Sequence, residues 1–249
     1  MCGRYRLAAD AELIAQIFGL IPEFIEIRIE PSFNVAPTER GLVVLVADVA
    51  GQPTRRLVYK RWGLLPPWSH TLRDGAKMIN ARAEAVTTTP AFREAFRKRR
   101  CVVPADGWYE WQAPPPSPGA LFGGAPPEAP RPHVIRRPDR GLLALAGLFE
   151  AWQGPDGVVE TYTILTRSSR PPITGLHARM PVLLDETGVN TWLDPKATPE
   201  LLARCLEGAD LPLEFRPVHP SIGQVRTKAE PIELSDVSPG IGSPRTETG

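Results

Sequence analysis

Between Ala113 and Pro132 lie eight prolines, with Gly119, Gly123 and Gly124 among them, and no other stretch restricts the fold as severely. Each proline lacks an amide donor and holds φ near one value, so the run can form neither a helix nor an interior strand. It reads as a solvated insertion between neighbouring strands, with no catalytic role. The flanks carry the opposite signal. Leu42 to Val49, Arg55 to Trp62, Cys101 to Pro104, Gly107 to Gln112, His133 to Arg137, Leu142 to Trp152 and Val158 to Thr166 are short apolar or alternating segments that predict strands. Pro155-Asp156-Gly157 supplies a turn before the last, and Val182 to Leu184 adds a short piece. This order suggests a meandering, mostly antiparallel sheet.

Helices are predicted where a cap precedes apolar residues at helical spacing. Asp10 opens one over Ala11 to Phe18, with Leu13, Ile14, Ile17 and Phe18 on its core face and Gly19 as its stop. Thr89 and Pro90 open a second that runs to Arg99. Thr198 and Pro199 open a third, with Leu201, Leu202 and Cys205 facing inward. Pro31 to Thr38, Trp62 to Trp68 and Ile173 to Pro181 read as irregular, and from Ser235 onward the residues are those of a disordered tail.

The chain's 249 residues allow one large domain or two small ones. A formal net charge of +1 supplies no overall positive field, so any contact with nucleic acid must come from a local groove or patch. Cys2, Cys101 and Cys205 are an odd number without close spacing, which fits a reducing compartment, and a cytoplasmic location is expected. Arg4, Arg6, Asp10 and Glu12 stand where a signal peptide would be apolar, and no apolar run is long enough to cross a bilayer, so no membrane association is expected. The histidines His70, His133, His177 and His219 are scattered, which argues against a metal. No phosphate loop or dinucleotide fingerprint is present, and no cofactor is expected.

Removal of Met1 would leave Cys2 at the N-terminus, with an amine and a thiol two carbons apart. Together these can close a five-membered thiazolidine ring on an aldehyde. Ordinary pKa values of about 7.7 to 8.0 for the amine and about 8.5 for the thiol leave a useful fraction of each as nucleophile near neutral pH. Three further residues suit a site that captures a carbonyl: Asn80 as an orienting amide, Glu110 as acid or base, and His177 as a second acid or base. In an extended Met78 to Val86, Asn80, Arg82 and Glu84 share one side and Ile79, Ala81, Ala83 and Ala85 the other. In Gly107 to Gln112, Trp108 and Glu110 share one face and Tyr109 and Trp111 the other.

These pieces occur together and in order: Met1-Cys2-Gly3-Arg4-Tyr5, Asn34-Val35-Ala36-Pro37-Thr38, Trp62-Gly63-Leu64 with Trp68, Asn80-Ala81-Arg82-Ala83-Glu84, Cys101 to Trp111, and His177-Ala178-Arg179-Met180-Pro181. The set resembles the SOS response-associated peptidase (SRAP) family, from residue 2 to about residue 235. The chain departs from the family pattern after Thr166 and between Pro217 and Ile232. The resemblance implies one α+β domain over residues 1–235, built on a curved, barrel-like, mostly antiparallel sheet with flanking short helices, and a tail over 236–249. It implies a monomer that binds single-stranded DNA in a positive channel and links covalently to abasic sites, acting at the nucleoid when bound to DNA.

By the same resemblance the Cys2 amine forms a Schiff base with the opened sugar and its thiol closes the thiazolidine, after the protein has removed its own Met1. Asn80 holds the terminal residue, Glu110 relays protons and assists reversal, and His177 assists ring opening. Arg4, Arg82 and Arg179 are candidate phosphate contacts, Trp62, Trp68 and Trp108 candidate base contacts, and Asn34 a further DNA-binding candidate. Two rival functions share parts of the pattern: an amidohydrolase or glutaminase with an N-terminal cysteine nucleophile, and a non-covalent single-strand binding module.

Overall fold

The longest apolar runs pair with one another and close on themselves. In chain order the elements are β1 (Tyr5–Leu7), α1 (Ala11–Phe18), β2 (Ser32–Val35), β3 (Arg40–Val49), β4 (Gln52–Trp62), β5 (Asn80–Arg82), α2 (Pro90–Lys98), β6 (Arg100–Ala105), β7 (Gly107–Gln112), β8 (Arg131–Arg136), β9 (Leu143–Gly154), β10 (Gly157–Ser168), β11 (Arg179–Pro181), β12 (Leu183–Leu184), α3 (Glu186–Leu193), α4 (Pro199–Glu207) and β13 (Glu214–Pro217). The computed structural model describes residues 2–22, 25, 27–114 and 129–234. Met1, residues 115–128 of the proline-rich insertion and the 236–249 tail lie outside the described residues.

β3 and β4 form a hairpin, β3 also pairs with β6, β6 with β9, and β9 with β10. β10 then returns to β4 through Thr161↔Arg61 and Tyr162↔Trp62, which closes a five-stranded barrel. That last pairing is parallel, within a barrel whose other pairings are antiparallel, as a mostly antiparallel sheet allows. The reason is topological, because a ring with an odd number of strands cannot alternate direction all the way round. β5 extends the same edge of β10, also in parallel, and β11 pairs with the opposite edge of its C-terminal end.

A second sheet in the order β13-β8-β7-β1-β2 packs on the barrel. β7 and β8, the strands on either side of the proline run, are direct neighbours from Trp108↔Ile135 to Gln112↔Arg131. Trp108 joins the main core with Tyr5, Trp62 and Tyr162, while Tyr109 and Trp111 pack on the sheet's other side with Val134, Val218 and Ile222. This division follows the period of two read from the sequence. The architecture is α+β, a barrel with an added sheet and short helices around it.

Local expectations held where a signal was self-contained. Asp10 Oδ1 accepts from the Leu13 amide at 2.8 Å, and Gly19 ends α1 at φ 59°. The core stripes are narrower than predicted: Leu13, Ile17 and Leu201 are exposed, and Ile14, Phe18, Leu202 and Cys205 are buried. A short helix lying on a barrel touches it along one line, so the flanking apolar positions stay wet. Thr89 precedes α2 without capping it by its side chain, since its hydroxyl donates to the Ala85 carbonyl at 2.8 Å.

Pro31 to Thr38 was expected to be irregular, yet Ser32–Val35 forms β2, because β1 offers it a ladder and both prolines fall outside the pairing. Met78 to Val86 is extended only over β5 and then turns at Ala83–Ala85. The buried positions Ala81 and Ala83 still alternate with more exposed Asn80, Arg82 and Glu84. α3 and β13 were not predicted, although Asp185 caps α3 and Val189, Trp192 and Leu193 line its buried face at helical spacing.

Candidate active site

Four chain segments bring one side chain each to the seam between barrel and second sheet. Cys2 precedes β1 and is fully buried. Asn80 opens β5, which is fixed in register by Ile164↔Asn80 on β10. Glu110 lies on the inward face of β7, and His177 precedes β11. Asn80 Nδ2 donates to the Cys2 carbonyl oxygen at 2.9 Å, across 78 residues of sequence. His177 Nε2 stands 3.8 Å from Glu110 Oε2.

The Arg179 amide donates to His177 Nδ1 at 3.0 Å, and the Arg179 carbonyl oxygen lies 3.0 Å from the same nitrogen. A neutral ring that accepts at Nδ1 carries its proton on Nε2, the nitrogen aimed at Glu110; the tautomer is assigned here from its hydrogen-bond partners.

Burial pushes the Cys2 thiol well above its ordinary value, and the nearby Glu110 charge raises it further, against the Arg4 backbone N–H. Burial also raises the Glu110 carboxyl, opposed by His177. Both groups therefore hold their protons to a higher pH than in water. A buried thiol, a carboxyl raised by burial and an imidazole facing that carboxyl are suited to reactions in which an oxygen must be protonated and an amine deprotonated.

The floor beneath these residues was not legible from motif reading. Tyr5 and Tyr162 share a hydroxyl–hydroxyl hydrogen bond of 2.8 Å. Trp62 stacks on Tyr162 with centroids 6.2 Å apart and meets Tyr5 edge-on at 5.3 Å. A Cβ at Gly41 would lie 2.1 Å from the Tyr5 hydroxyl and 2.3 Å from that of Tyr162, so only glycine lets β3 pass. A lone glycine entering an apolar strand run was the one available signal.

The DNA-contact candidates fall into two groups. Trp68 is 58% exposed, on a loop pinned behind it by Trp152 Nε1 donating to the Ser69 carbonyl at 2.8 Å. Arg82 is exposed and Arg4 and Arg179 are half-buried. Trp62, Trp108 and Asn34 are fully buried. The Trp62 indole donates to the Ile79 carbonyl at 2.8 Å. The Asn34 amide nitrogen lies 3.0 to 3.1 Å from the carbonyls of Ile222, Gln224 and Thr227, and its oxygen accepts from Arg4 at 3.1 Å. Asn34 therefore ties the C-terminal segment to β2 and orients Arg4.

Arg179 forms a two-pronged pair with Glu84 and donates to the carbonyl and hydroxyl oxygens of Thr166. Neither partner was singled out for this purpose in the sequence. Among the described residues no group of three His, Cys, Asp or Glu side chains is placed to hold a metal ion. No helix among them is long and apolar enough to cross a membrane.

The family model described as SOS response associated peptidase (SRAP) matches residues 1–225. The abasic site processing protein YoqW of Bacillus subtilis is 35% identical over 212 residues, covering 84% of this chain and 88% of the relative. The abasic site processing protein HMCES of Gallus gallus is 33% identical over 236 residues, covering 86% of this chain and 70% of the relative. A solved structure of a phage-related protein from Bordetella bronchiseptica is similar with a TM-score of 0.66 and 26% identity, over 88% of this chain and 94% of the other. A solved structure from Bacteroides thetaiotaomicron shares the fold with a TM-score of 0.72 at 22% identity, over 88% and 93%.

Proposed function

The chain belongs to the SOS response associated peptidase (SRAP) family, and from that premise we propose that it processes abasic sites in DNA by a covalent adduct through Cys2. Removal of Met1 frees the Cys2 amine. The amine adds to the aldehyde of the ring-opened abasic sugar to give a carbinolamine, which loses water to form an imine. The thiol then adds across the imine carbon, and its proton passes to nitrogen. The net change is one thiazolidine ring formed and one water released.

Each neighbour has a defined task in that sequence. Asn80 holds the Cys2 carbonyl, which fixes amine and thiol relative to the incoming sugar. Glu110, whose carboxyl is raised above its ordinary value by burial, gives a proton to the departing oxygen and takes one from the amine. It returns the proton when the adduct reverses. His177, with Nε2–H facing Glu110, assists opening of the sugar ring. Positioned acid–base groups of this kind contribute factors of about 10² to 10⁴. Arg4, Arg82 and Arg179 bind phosphates of a single strand, Trp68 stacks on a base, and Trp62, Trp108 and Asn34 shape the channel wall behind them.

The observation that carries this reading is the convergence of Cys2, Asn80, Glu110 and His177 from four separate segments. The test uses a denaturing gel with abasic and intact oligonucleotides, and intact-mass measurement of the protein. Wild type should shift only with the abasic strand, Cys2→Ala should not shift, and the mature mass should lack Met1. Equal shifts with both strands, none with the abasic strand, or retained Met1 would overturn it.

A further inference from the structure

We infer that Glu84 is a positioning residue of the site, stapling the strand that carries Asn80 to the segment that carries His177 across the end of β10. This rests on the abasic-site reading above. β5 and β11 lie on opposite edges of β10, with Thr166↔Arg82 on one side and Ser168↔Arg179 on the other. Neither strand is longer than three residues, so ladder hydrogen bonds alone hold each of them weakly. Glu84 sits in the turn that ends β5, and its two oxygens accept from Arg179 Nη1 at 2.7 Å and Nη2 at 3.0 Å.

The same Nη2 donates to the Thr166 carbonyl at 2.5 Å, so the guanidinium is fixed to both β5 and β10. Arg179 in turn supplies the amide that donates to His177 Nδ1. The connection runs from the Glu84 carboxylate to the guanidinium, through one residue of backbone, to the imidazole facing Glu110. The pair holds the Glu84 carboxyl down to about 2, so the staple is charged throughout the working pH range.

Two features make this a positioning device rather than a stability device. The Glu84 side chain is 54% exposed, and exposed pairs contribute little to folding. The guanidinium fork also matches a carboxylate through two parallel bonds, which fixes orientation as well as distance. Glutamine at this position offers one acceptor and turns an NH₂ group toward a cation. A second consequence follows from charge. Glu84 neutralises Arg179, so a strand phosphate must compete with it for the same donors. Removing the carboxylate should slow the chemistry while strengthening non-reactive strand binding, and an ordinary packing defect would not move those two quantities in opposite directions.

The experiment compares full-length wild type, Glu84→Gln and Glu84→Asp by three readouts: single-turnover adduct formation on an abasic oligonucleotide, equilibrium binding of the intact oligonucleotide, and the ¹⁵N NMR signals of the His177 imidazole. Glu84→Gln is expected to form adduct about 10-fold to 10²-fold more slowly, the range for a small misplacement of a reacting group. It should bind the intact strand more tightly, with a salt dependence steeper by about 0.7 for one more phosphate neutralised. Its imidazole signals should move away from the Nδ1-acceptor form, and Glu84→Asp should fall between the two. An unchanged rate, or rate and intact-strand affinity falling together, would overturn the inference. Adduct failure in wild type would refute the abasic-site reading alone. The imidazole and intact-strand readouts still decide on Glu84 in that case, and no change in either would sink it. Should Glu84→Gln melt well below wild type, Glu84→Asp carries the comparison.

Discussion

Replacing Asn80 tests the site at its most specific contact. Its Nδ2–Cys2 oxygen bond is 2.9 Å long, and a bond of this type contributes about 0.5 to 1.5 kcal/mol net. Asn80→Ala also leaves the carbonyl of fully buried Cys2 without that donor, and an orphaned buried acceptor costs about 1 to 3 kcal/mol. If about 1 to 3 kcal/mol is expressed as loss of the reacting pose, at about 1.4 kcal/mol per tenfold, adduct formation slows by about 5-fold to 150-fold. Asn80→Asp is the sharper variant. It puts a carboxylate oxygen opposite the Cys2 oxygen, so at neutral pH it should react more slowly than Asn80→Ala. In acid it should partly recover, as the carboxyl gains a proton to donate. The assay is a quenched time course on a denaturing gel with an abasic oligonucleotide, each variant's intact mass confirming that Met1 is gone. Asn80→Ala within twofold of wild type, or Asn80→Asp as fast as wild type at neutral pH, would refute the reasoning.

Gly41→Ala places a methyl 2.1 Å and 2.3 Å from the two floor hydroxyls; overpacking at such a site costs about 1 to 3 kcal/mol, to be read as a lower urea midpoint, and an unchanged midpoint would contradict the close approach. Burial raises the Glu110 carboxyl above its ordinary value of 4.5, so between 4.5 and the raised value the folded chain binds more protons than the unfolded chain and stability falls as pH rises. Glu110→Gln should therefore gain stability relative to wild type as pH rises through that window and show no gain below it, in urea melts across pH; a constant offset would refute the assignment. Trp68→Ala, at a 58% exposed position, should weaken intact single-strand binding by about 1 to 3 kcal/mol and leave the urea midpoint unchanged, whereas a lowered midpoint with unaltered binding would make the indole structural.

Much of the local structure was legible because its causes are local. Asp10 and Gly19 bound α1 by their own hydrogen bond and backbone angle. The period of two in β7 sorted Trp108 and Glu110 from Tyr109 and Trp111, and the proline run separated two strands that do pair. β2 was missed because its ladder depends on β1, which no property of Ser32 to Val35 announces. Leu13, Ile17 and Leu201 were assigned to the core because spacing shows which positions share a helix face, while the width of the buried stripe depends on the curvature of the surface beneath it.

The site divides in the same way. Sequence alone determined which reactive groups the chain carries: a thiol one residue from the start, an amide, a carboxyl beside an indole and a histidine before Arg179. Tertiary structure decided which of them meet, because Asn80 reaches Cys2 only through the parallel register of β5 on β10. It also decided that Trp62 builds a floor while Trp68 stays exposed, and that Arg179 is held by Glu84 across 95 residues of sequence. Chemistry is a property of residues and can be read from their order. Proximity and burial depend on how the barrel closes, and in an odd ring of strands that closure is settled only when the last strand finds the first.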